Sequence, residues 1–336
     1  MLYVVILFLF FAIVLYFLLG GADFGAGIIE LFTSDTNKSR TRRTMYQAIG
    51  PIWEANHMWL IIAVVIMFVG FPVIYSQMCT YLHIPLLIML LGVTARGTAF
   101  SFRNYDAIKD DKMQDLYNHI FVYSSVVTPL FLGITAGSVI SRQINPDATT
   151  FLGAYFYSWF NWFSIAVGFF TVALCGFLAA IYMVGEAKDQ FDVKRFTKKA
   201  IIMNAVAVGC GGLVFLAAEI EKVHLAYWIF GNPVSLIAVI AASLSLILLW
   251  YLLSKGNTQI IRILAAFQVT MILVSVGYRH FPNIVMMKGG HNLSLLIDHA
   301  PEKTINDLGW GLLLGSLIIL PSLFYLYYSF QKRKDL

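Results

Sequence analysis

Apolar segments recur along this chain from one end to the other, and each reaches the roughly 20 residues that a helix needs to cross a bilayer. The sequence has 336 residues, of which 59% are hydrophobic and 12% are charged. A soluble domain carries about twice that charged fraction. A membrane β-barrel would instead show alternating segments of roughly 10 residues. The pattern therefore predicts an all-α, polytopic membrane protein.

Nine transmembrane helices are predicted within a single transmembrane domain over residues 1–336. The predicted spans are residues 2–32, 51–74, 81–102, 116–140, 158–185, 199–219, 233–253, 260–280 and 308–330. The first four spans thus occupy 2–140, the next four occupy 158–280, and an outer loop at 281–307 precedes the last span. The N-terminal run lacks a basic leader and is too long for a signal peptide, so we interpret it as an uncleaved first span.

The basic residues of the connecting segments are distributed unevenly between the two sides of the membrane. If the N-terminus is outside, the inner connections and the C-terminal tail carry most of the 23 lysines and arginines. Cytoplasmic loops are enriched in these residues. The distribution therefore predicts an outer N-terminus and a cytoplasmic C-terminus.

The cysteines and histidines do not form a ligand pattern. Cys79, Cys175 and Cys210 are far apart, without a CxxC motif or a Cys/His cluster, which indicates neither a disulfide framework nor a zinc site. No two histidines occur at matching depth in the middle of spans, as a pair of haem ligands would. The sequence predicts no metal site in this chain.

Asp23, Glu54 and Arg96 are charged side chains in segments that are otherwise too apolar to leave a bilayer. A charge there is costly and marks a functional site by default. Asp23 lies about 27 Å of helix beyond Val5, in the cytoplasmic part of span one. Glu54 lies one turn into span two, and Arg96 lies about two turns before the end of span three. We therefore expect two carboxylates and one guanidinium to meet in a protein-lined pocket open to the inner side.

Small residues surround the first of these charges. Gly20, Asp23 and Gly27 share one helix face, as do Gly21 and Gly25. Small residues at these spacings let another helix approach closely. The spacing predicts that Asp23 lies on or beside a packed face, away from lipid.

The start of span two carries further polar and aromatic side chains around its acid. Glu54 and His57 share one face, and Asn56 and Trp59 share a second. A carboxyl without a full partner in such a cluster suits a proton carrier. The residues alone leave two alternatives open: a buried ion pair that fixes helix packing, and side chains that extend to the headgroups.

Four stretches carry a family resemblance. They read GADFGAG at 21–27, GPIWEANHMWL at 50–60, ARGTAFSFR at 95–103 and RHFPNIVMMKGGHNLSLLIDHAPEKTINDL at 279–308. Together they resemble subunit II of the cytochrome bd-type quinol oxidases. The resemblance covers the whole length, and its sharpest motifs contain the three intramembrane charges.

The resemblance implies an architecture and a set of partners. The expected fold has nine helices arranged as two four-helix bundles plus one peripheral helix, in the inner (cytoplasmic) membrane of a bacterial cell. The expected partner is subunit I, which carries a low-spin haem b, a high-spin haem b, haem d and the quinol-oxidising loop. Small single-helix accessory subunits are also expected. Subunit II itself is expected to bind no haem, although some members hold a quinone, for which the sequence indicates no site.

The resemblance also implies roles for particular residues. Subunit II is expected to support subunit I and to help deliver protons from the cytoplasm for the reduction of oxygen to water. The family's proton-carrying acids correspond to Asp23 and Glu54, and we expect Arg96 to balance their charge. Trp53, Asn56 and Trp59 are expected to pack around the acid and orient it.

Two departures from the family pattern leave these roles intact. Ala22 stands where an aromatic residue is usual, and Glu54 stands where aspartate is frequent. A function of another class also remains open on the residues alone, namely an ion-coupled secondary transporter with a carboxylate and arginine site. Transporters commonly carry inverted repeats and helices broken near the midplane, and neither is evident here.

Overall fold

The computed structural model of the chain describes residues 1–50, 52–105, 111–187, 189–255 and 258–332. Helices dominate these residues, as the composition predicts. The helices are α1 (Leu2–Leu15), α2 (Gly21–Leu31), α3 (Asp35–Ile49), α4 (Trp53–Gly70), α5 (Pro72–Tyr81), α6 (His83–Tyr105), α7 (Asp111–Ile140), α8 (Trp162–Glu186), α9 (Gln190–Ile220), α10 (Leu225–Phe230), α11 (Pro233–Lys255), α12 (Thr258–His280) and α13 (Glu302–Lys332). Two π-helical segments (Tyr16–Gly20 and Leu152–Phe156) and a 3₁₀ turn (Lys288–Gly290) complete them.

Within the described residues, nine helical segments are long and apolar enough to cross a membrane. They are Leu2–Leu31, Trp53–Gly70, His83–Asn104, Asp111–Ile140, Trp162–Glu186, Gln190–Ile220, Pro233–Leu253, Ile260–His280 and Glu302–Leu326. Each coincides with one predicted span, so the all-α polytopic prediction is confirmed. The predicted outer loop contains a small antiparallel pair of strands, β1 (Asn283–Val285) and β2 (Leu293–Ser294).

The connection between the first two spans is a helix, α3, where the sequence indicated only a basic segment. This helix begins after Ser34, whose backbone is extended. Arg40 of α3 forms ion pairs with Asp189 and Asp192 at the start of α9. These salt bridges hold α3 against the N-terminal end of α9.

Helix α8 lies at the centre of the molecule, where α2 and α7 pack against it. A methyl group added at Gly25 would overlap the backbone carbonyl of Cys175 in α8. One added at Gly27 would overlap the side chain of Ser125 in α7. The small-residue face predicted around Asp23 is therefore the surface on which α2 contacts two other helices.

The remaining helices pack around this centre. Helix α1 contacts α4, α6 contacts α7, α9 contacts α8, and α11 contacts α12. Helix α13 contacts α1 and α4. Only 6% of its 18-residue apolar stretch is buried, as expected for a peripheral helix. The grouping into two four-helix bundles and the orientation of the termini stay predictions.

Candidate functional site

Asp23 lies in the first turn of α2, immediately after the π-helical turn Tyr16–Gly20. Such turns insert an extra residue into a helix and occur frequently at functional sites. The side chain of Asp23 is only 1% exposed. The sequence prediction that this carboxyl faces protein and not lipid is confirmed.

Asn56, in the first turn of α4, holds the Asp23 carboxyl group. Its amide nitrogen Nδ2 donates to Asp23 Oδ1 at 3.1 Å and to Oδ2 at 3.0 Å. Asn56 is 2% exposed. A buried polar group must be hydrogen-bonded to avoid a large cost, and one neutral amide here contacts both carboxyl oxygens.

Arg96 of α6 is buried beside this pair, at 2% exposure. Its Nη2 donates to the backbone carbonyl oxygen of Asp23 at 2.6 Å, and its Nε donates to Ser125 Oγ at 3.2 Å. The guanidinium carbon lies 5.1 Å from the ring centroids of both Phe24 and Phe121, where each aromatic face attracts the cation. The guanidinium thus lies next to Asp23, but its hydrogen bond goes to the backbone and not to the carboxylate.

His57 contributes to the same cluster from α4. Its Nε2 lies 3.4 Å from Arg96 Nη1, so Nε2 accepts and Nδ1 carries the proton in the neutral ring. Nδ1 is shielded from solvent and has no hydrogen-bond partner among the residues that the structure describes. The ring centroid of Tyr16 lies 6.0 Å from that of His57. The Tyr16 hydroxyl is also shielded from solvent and has no hydrogen-bond partner among the described residues.

These contacts define what the cluster can do chemically. Asp23 is a titratable group in a buried site, held by a neutral amide. The Arg96 guanidinium lies close by, and among the described residues the carboxyl group forms no direct ion pair. A carboxyl group in this situation can gain or lose a proton without breaking a salt bridge. This is the property that a proton-carrying residue needs.

The structure does not bring Glu54 into this pocket, contrary to the expectation that both carboxylates meet Arg96. Glu54 lies in the first turn of α4, next in sequence to Trp53, but its side chain is exposed. The reason is helix geometry: Asn56, two residues further on, faces α2, and residues two apart on a helix face different directions. The charge cluster therefore contains Asp23 and Arg96, and Glu54 lies on the surface of this chain.

The two tryptophans contact aromatic rings, whereas Asn56 hydrogen-bonds the acid. The ring centroid of Trp53 is 5.1 Å from that of Phe100. Trp59 is 6% exposed and forms an edge contact with Phe11 at 5.8 Å. Both indoles thus pack against neighbouring rings, and their role in packing around the acid stays a prediction.

Sequence reasoning missed a second buried acid, Glu30, near the end of α2. Glu30 is fully buried, and its two carboxylate oxygens contact Arg42 Nε at 2.5 Å and Arg103 Nη1 at 3.1 Å. Glu30 follows Asp23 by seven residues, and Arg103 follows Arg96 by seven. Residues seven apart share a helix face, so this matched spacing on spans one and three was the signal that could have revealed it.

A separate apolar cavity of about 670 Å³ lies between helices of the first and second halves of the chain. Tyr16 and Gln268 are among the residues that line it. The Tyr16 hydroxyl and Gln268 Oε1 have no hydrogen-bond partner among the described residues. An apolar cavity of this size with a few polar groups is typical of small-molecule sites.

Comparison with known proteins identifies the family. The sequence model of the family described as "Cytochrome bd terminal oxidase subunit II" matches residues 1–330. The chain belongs to this family. The resemblance carried by the four sequence stretches is thereby confirmed, and the transporter alternative has no support from the comparisons.

Individual relatives agree with this assignment. The chain is 24% identical over 324 residues to "Cytochrome bd ubiquinol oxidase subunit 2" of Bacillus subtilis (strain 168), which covers 95% of this chain and 92% of the relative. It is 21% identical over 267 residues to "Cytochrome bd-I ubiquinol oxidase subunit 2" of Escherichia coli (strain K12), covering 76% and 67% respectively.

A solved structure shows the same fold. A chain of "The structure of bd oxidase from Geobacillus thermodenitrificans" superposes with a TM-score of 0.77, over 97% of this chain and 98% of that one. The two chains are 18% identical, so this likeness supports the architecture and not the role of any residue.

Proposed function

We propose that this chain is the non-haem subunit of a bacterial inner-membrane oxidase that couples quinol oxidation to the reduction of oxygen to water. Its part in that reaction is to support the haem-bearing subunit I and to help deliver protons from the cytoplasm. The observation that carries the proposal is the Asp23 carboxyl group, buried and bound by Asn56 at 3.0 and 3.1 Å in a chain of the subunit II family.

Each member of the cluster has a separate task in this proposal. Asp23 accepts and releases the proton, and Asn56 orients its carboxyl group. Arg96 compensates the negative charge that remains when the proton leaves, since a charge buried in a low-dielectric site is costly without an opposite charge nearby. Glu54 collects or passes protons at the surface, one helical turn from His57.

The exposed position of Glu54 supports an arrangement at a subunit boundary. A carboxylate on the side of a membrane helix is costly where it faces lipid. Subunit I, which would hold the low-spin haem b, the high-spin haem b and haem d, is the component proposed to cover it. Small single-helix accessory subunits would complete the complex.

Oxygen consumption by the purified complex tests the proton-carrying role. Asp23→Asn removes the titratable group but keeps the shape, and we expect turnover to fall roughly tenfold or more, as for loss of a proton-transfer group. Glu54→Gln should cause a smaller decrease, because Glu54 lies outside the buried cluster of Asp23, Asn56 and Arg96. Glu302→Gln, at an exposed acid on α13, serves as the matched control and should leave turnover unchanged.

The visible spectrum separates this role from a structural one. All variants should keep the haem content of the parent complex. Full haem content with undiminished turnover in Asp23→Asn would contradict the proposal. Loss of haem in that variant would assign Asp23 to assembly instead.

We further propose that the apolar cavity holds a quinone molecule. Its polar groups, Tyr16 and Gln268, would bind the quinone carbonyl oxygens, although Gln268 must then present its amide nitrogen. Solvent extraction of the purified complex should release quinone, and less of it from a Gln268→Leu variant. Equal amounts from both would contradict this placement.

A further inference from the structure

A second cavity, of about 350 Å³, opens at the end of the first-half helices that carries Glu30. This is the predicted cytoplasmic side. Three arginines line the cavity: Arg42 of α3, its neighbour Arg43, and Arg103 of α6. Residues from α3, α6 and α7 thus converge on one opening, which lies outside the Asp23 cluster.

The cavity carries an excess of positive charge among the described residues. Glu30 contacts Arg42 and Arg103, and so neutralises one of the three positive charges. Arg43 is exposed, and no described acidic side chain lies within ion-pair distance of it. An opening with this excess of charge attracts anions.

The arginines also retain hydrogen-bond donors. A guanidinium has five N–H groups, and the Glu30 contacts use only Nε of Arg42 and Nη1 of Arg103. Donors on both side chains therefore remain for a ligand with several acceptor oxygens. Arginine's planar fork matches the oxygens of phosphate.

An unpartnered amide completes the set of donors. The Nε2 group of Gln114, in the first turns of α7, lines the same cavity and is shielded from solvent. It has no hydrogen-bond partner among the described residues. A buried N–H₂ group without an acceptor costs free energy, and an anion in the cavity would supply the missing acceptor.

We propose that this cavity binds a phosphate group, carried either by an acidic phospholipid of the adjacent leaflet or by a soluble phosphate compound. Basic pockets between membrane helices on the cytoplasmic side are suited to lipid headgroups. Large apolar side chains beside Arg103 and Gln114 are exposed, at Phe102, Met113 and Leu116. They would contact the acyl chains of a lipid whose headgroup occupies the cavity.

Titration calorimetry on the purified, delipidated complex tests the proposal with three probes. These are dihexanoyl phosphatidylglycerol, inorganic phosphate, and dihexanoylglycerol, which lacks phosphate. We expect phosphatidylglycerol to bind and dihexanoylglycerol not to bind. Binding of inorganic phosphate without binding of the lipid would assign the site to soluble phosphate compounds, which also supports the proposal.

Two variants and one control separate a built site from general surface charge. Arg43→Gln should weaken binding about fivefold, the effect of one basic residue near a membrane surface. Gln114→Leu keeps the charge and should weaken binding about threefold, the effect of one hydrogen bond. Lys198→Gln removes an exposed positive charge of α9 outside the cavity and should change nothing.

Two outcomes would overturn the proposal. The first is that neither phosphate-containing probe binds to the parent complex. The second is that Lys198→Gln weakens binding as much as Arg43→Gln, which would indicate diffuse attraction. The visible spectrum of each variant complex confirms its integrity before titration.

Discussion

Side chains of α2 and α6 contact each other at two levels, each with an acid on α2 and an arginine on α6. The contacts of the acid differ between the two levels. At one level Asp23 is bound by the Asn56 amide, while Arg96 contacts only its backbone oxygen. Seven residues further along both helices, Glu30 is paired directly with Arg103 and also with Arg42. The two levels are about 10 Å apart along a helix.

This difference separates a carboxyl group held by a neutral amide from one held by two guanidinium groups. Both oxygens of the Glu30 carboxylate contact a guanidinium group directly. The Glu30 level is therefore suited to holding helices together. Among the described residues the Asp23 carboxyl group forms no direct ion pair and is bound by the Asn56 amide, and we propose that it exchanges protons.

The largest expected effect comes from breaking the paired level. Glu30→Gln leaves Arg103, whose side chain is 8% exposed, without its counter-charge. Removing one partner of a buried ion pair costs about 3–5 kcal/mol, and we expect a large loss of thermal stability. Thermal denaturation followed by haem absorbance measures it, and turnover per haem should stay unchanged in the complex that survives.

A partly exposed pair on the same chain provides the control for that experiment. Glu186 and Arg262 are 2.9 Å apart, with side chains 19% and 27% exposed. Glu186→Gln should cost only about 1 kcal/mol, because solvent screens the remaining charge. Equal losses of thermal stability in Glu30→Gln and Glu186→Gln would show that burial of the Glu30 ion pair does not increase its contribution to stability.

A smaller effect is expected at the Asp23 level. Asn56→Leu keeps a similar volume but removes the amide that contacts both carboxyl oxygens. Leaving a buried polar group without its partner costs about 1–3 kcal/mol, and turnover should fall as the carboxyl group loses its orientation. Compared with Glu30→Gln, Asn56→Leu should have a smaller effect on stability and a larger effect on oxygen consumption. Normal turnover in Asn56→Leu would mean that orientation of Asp23 is unimportant.

Sequence reasoning succeeded where a single physical signal dominates. Hydropathy placed the nine spans, because burial of about 20 apolar residues outweighs any local preference. The cost of an intramembrane charge drew attention to Asp23 and Arg96, and glycine spacing placed Asp23 on a packed face. Each of these signals is local to one segment of the chain.

The errors arose where direction or pairing depends on neighbouring helices. Glu54 belongs to the same helical turn as Asn56, and only the packing of α4 against α1 and the π-helical turn Tyr16–Gly20 decides which of them is buried. Glu30 lies near the end of a predicted span, where a charge is common. Only its matched spacing with Arg103 indicates that it is buried in an ion pair. Helix α3 has a polar, basic sequence without a long apolar run, so hydropathy gave no signal for it.

Infrared difference spectroscopy of the reduced and oxidised complex is the most direct test of proton exchange at Asp23. We expect a carboxyl C=O band that shifts in D₂O, is absent in Asp23→Asn and persists in Glu30→Gln. A band that survives Asp23→Asn unchanged, or one that disappears only in Glu30→Gln, would contradict the assignment of the changeable charge to Asp23.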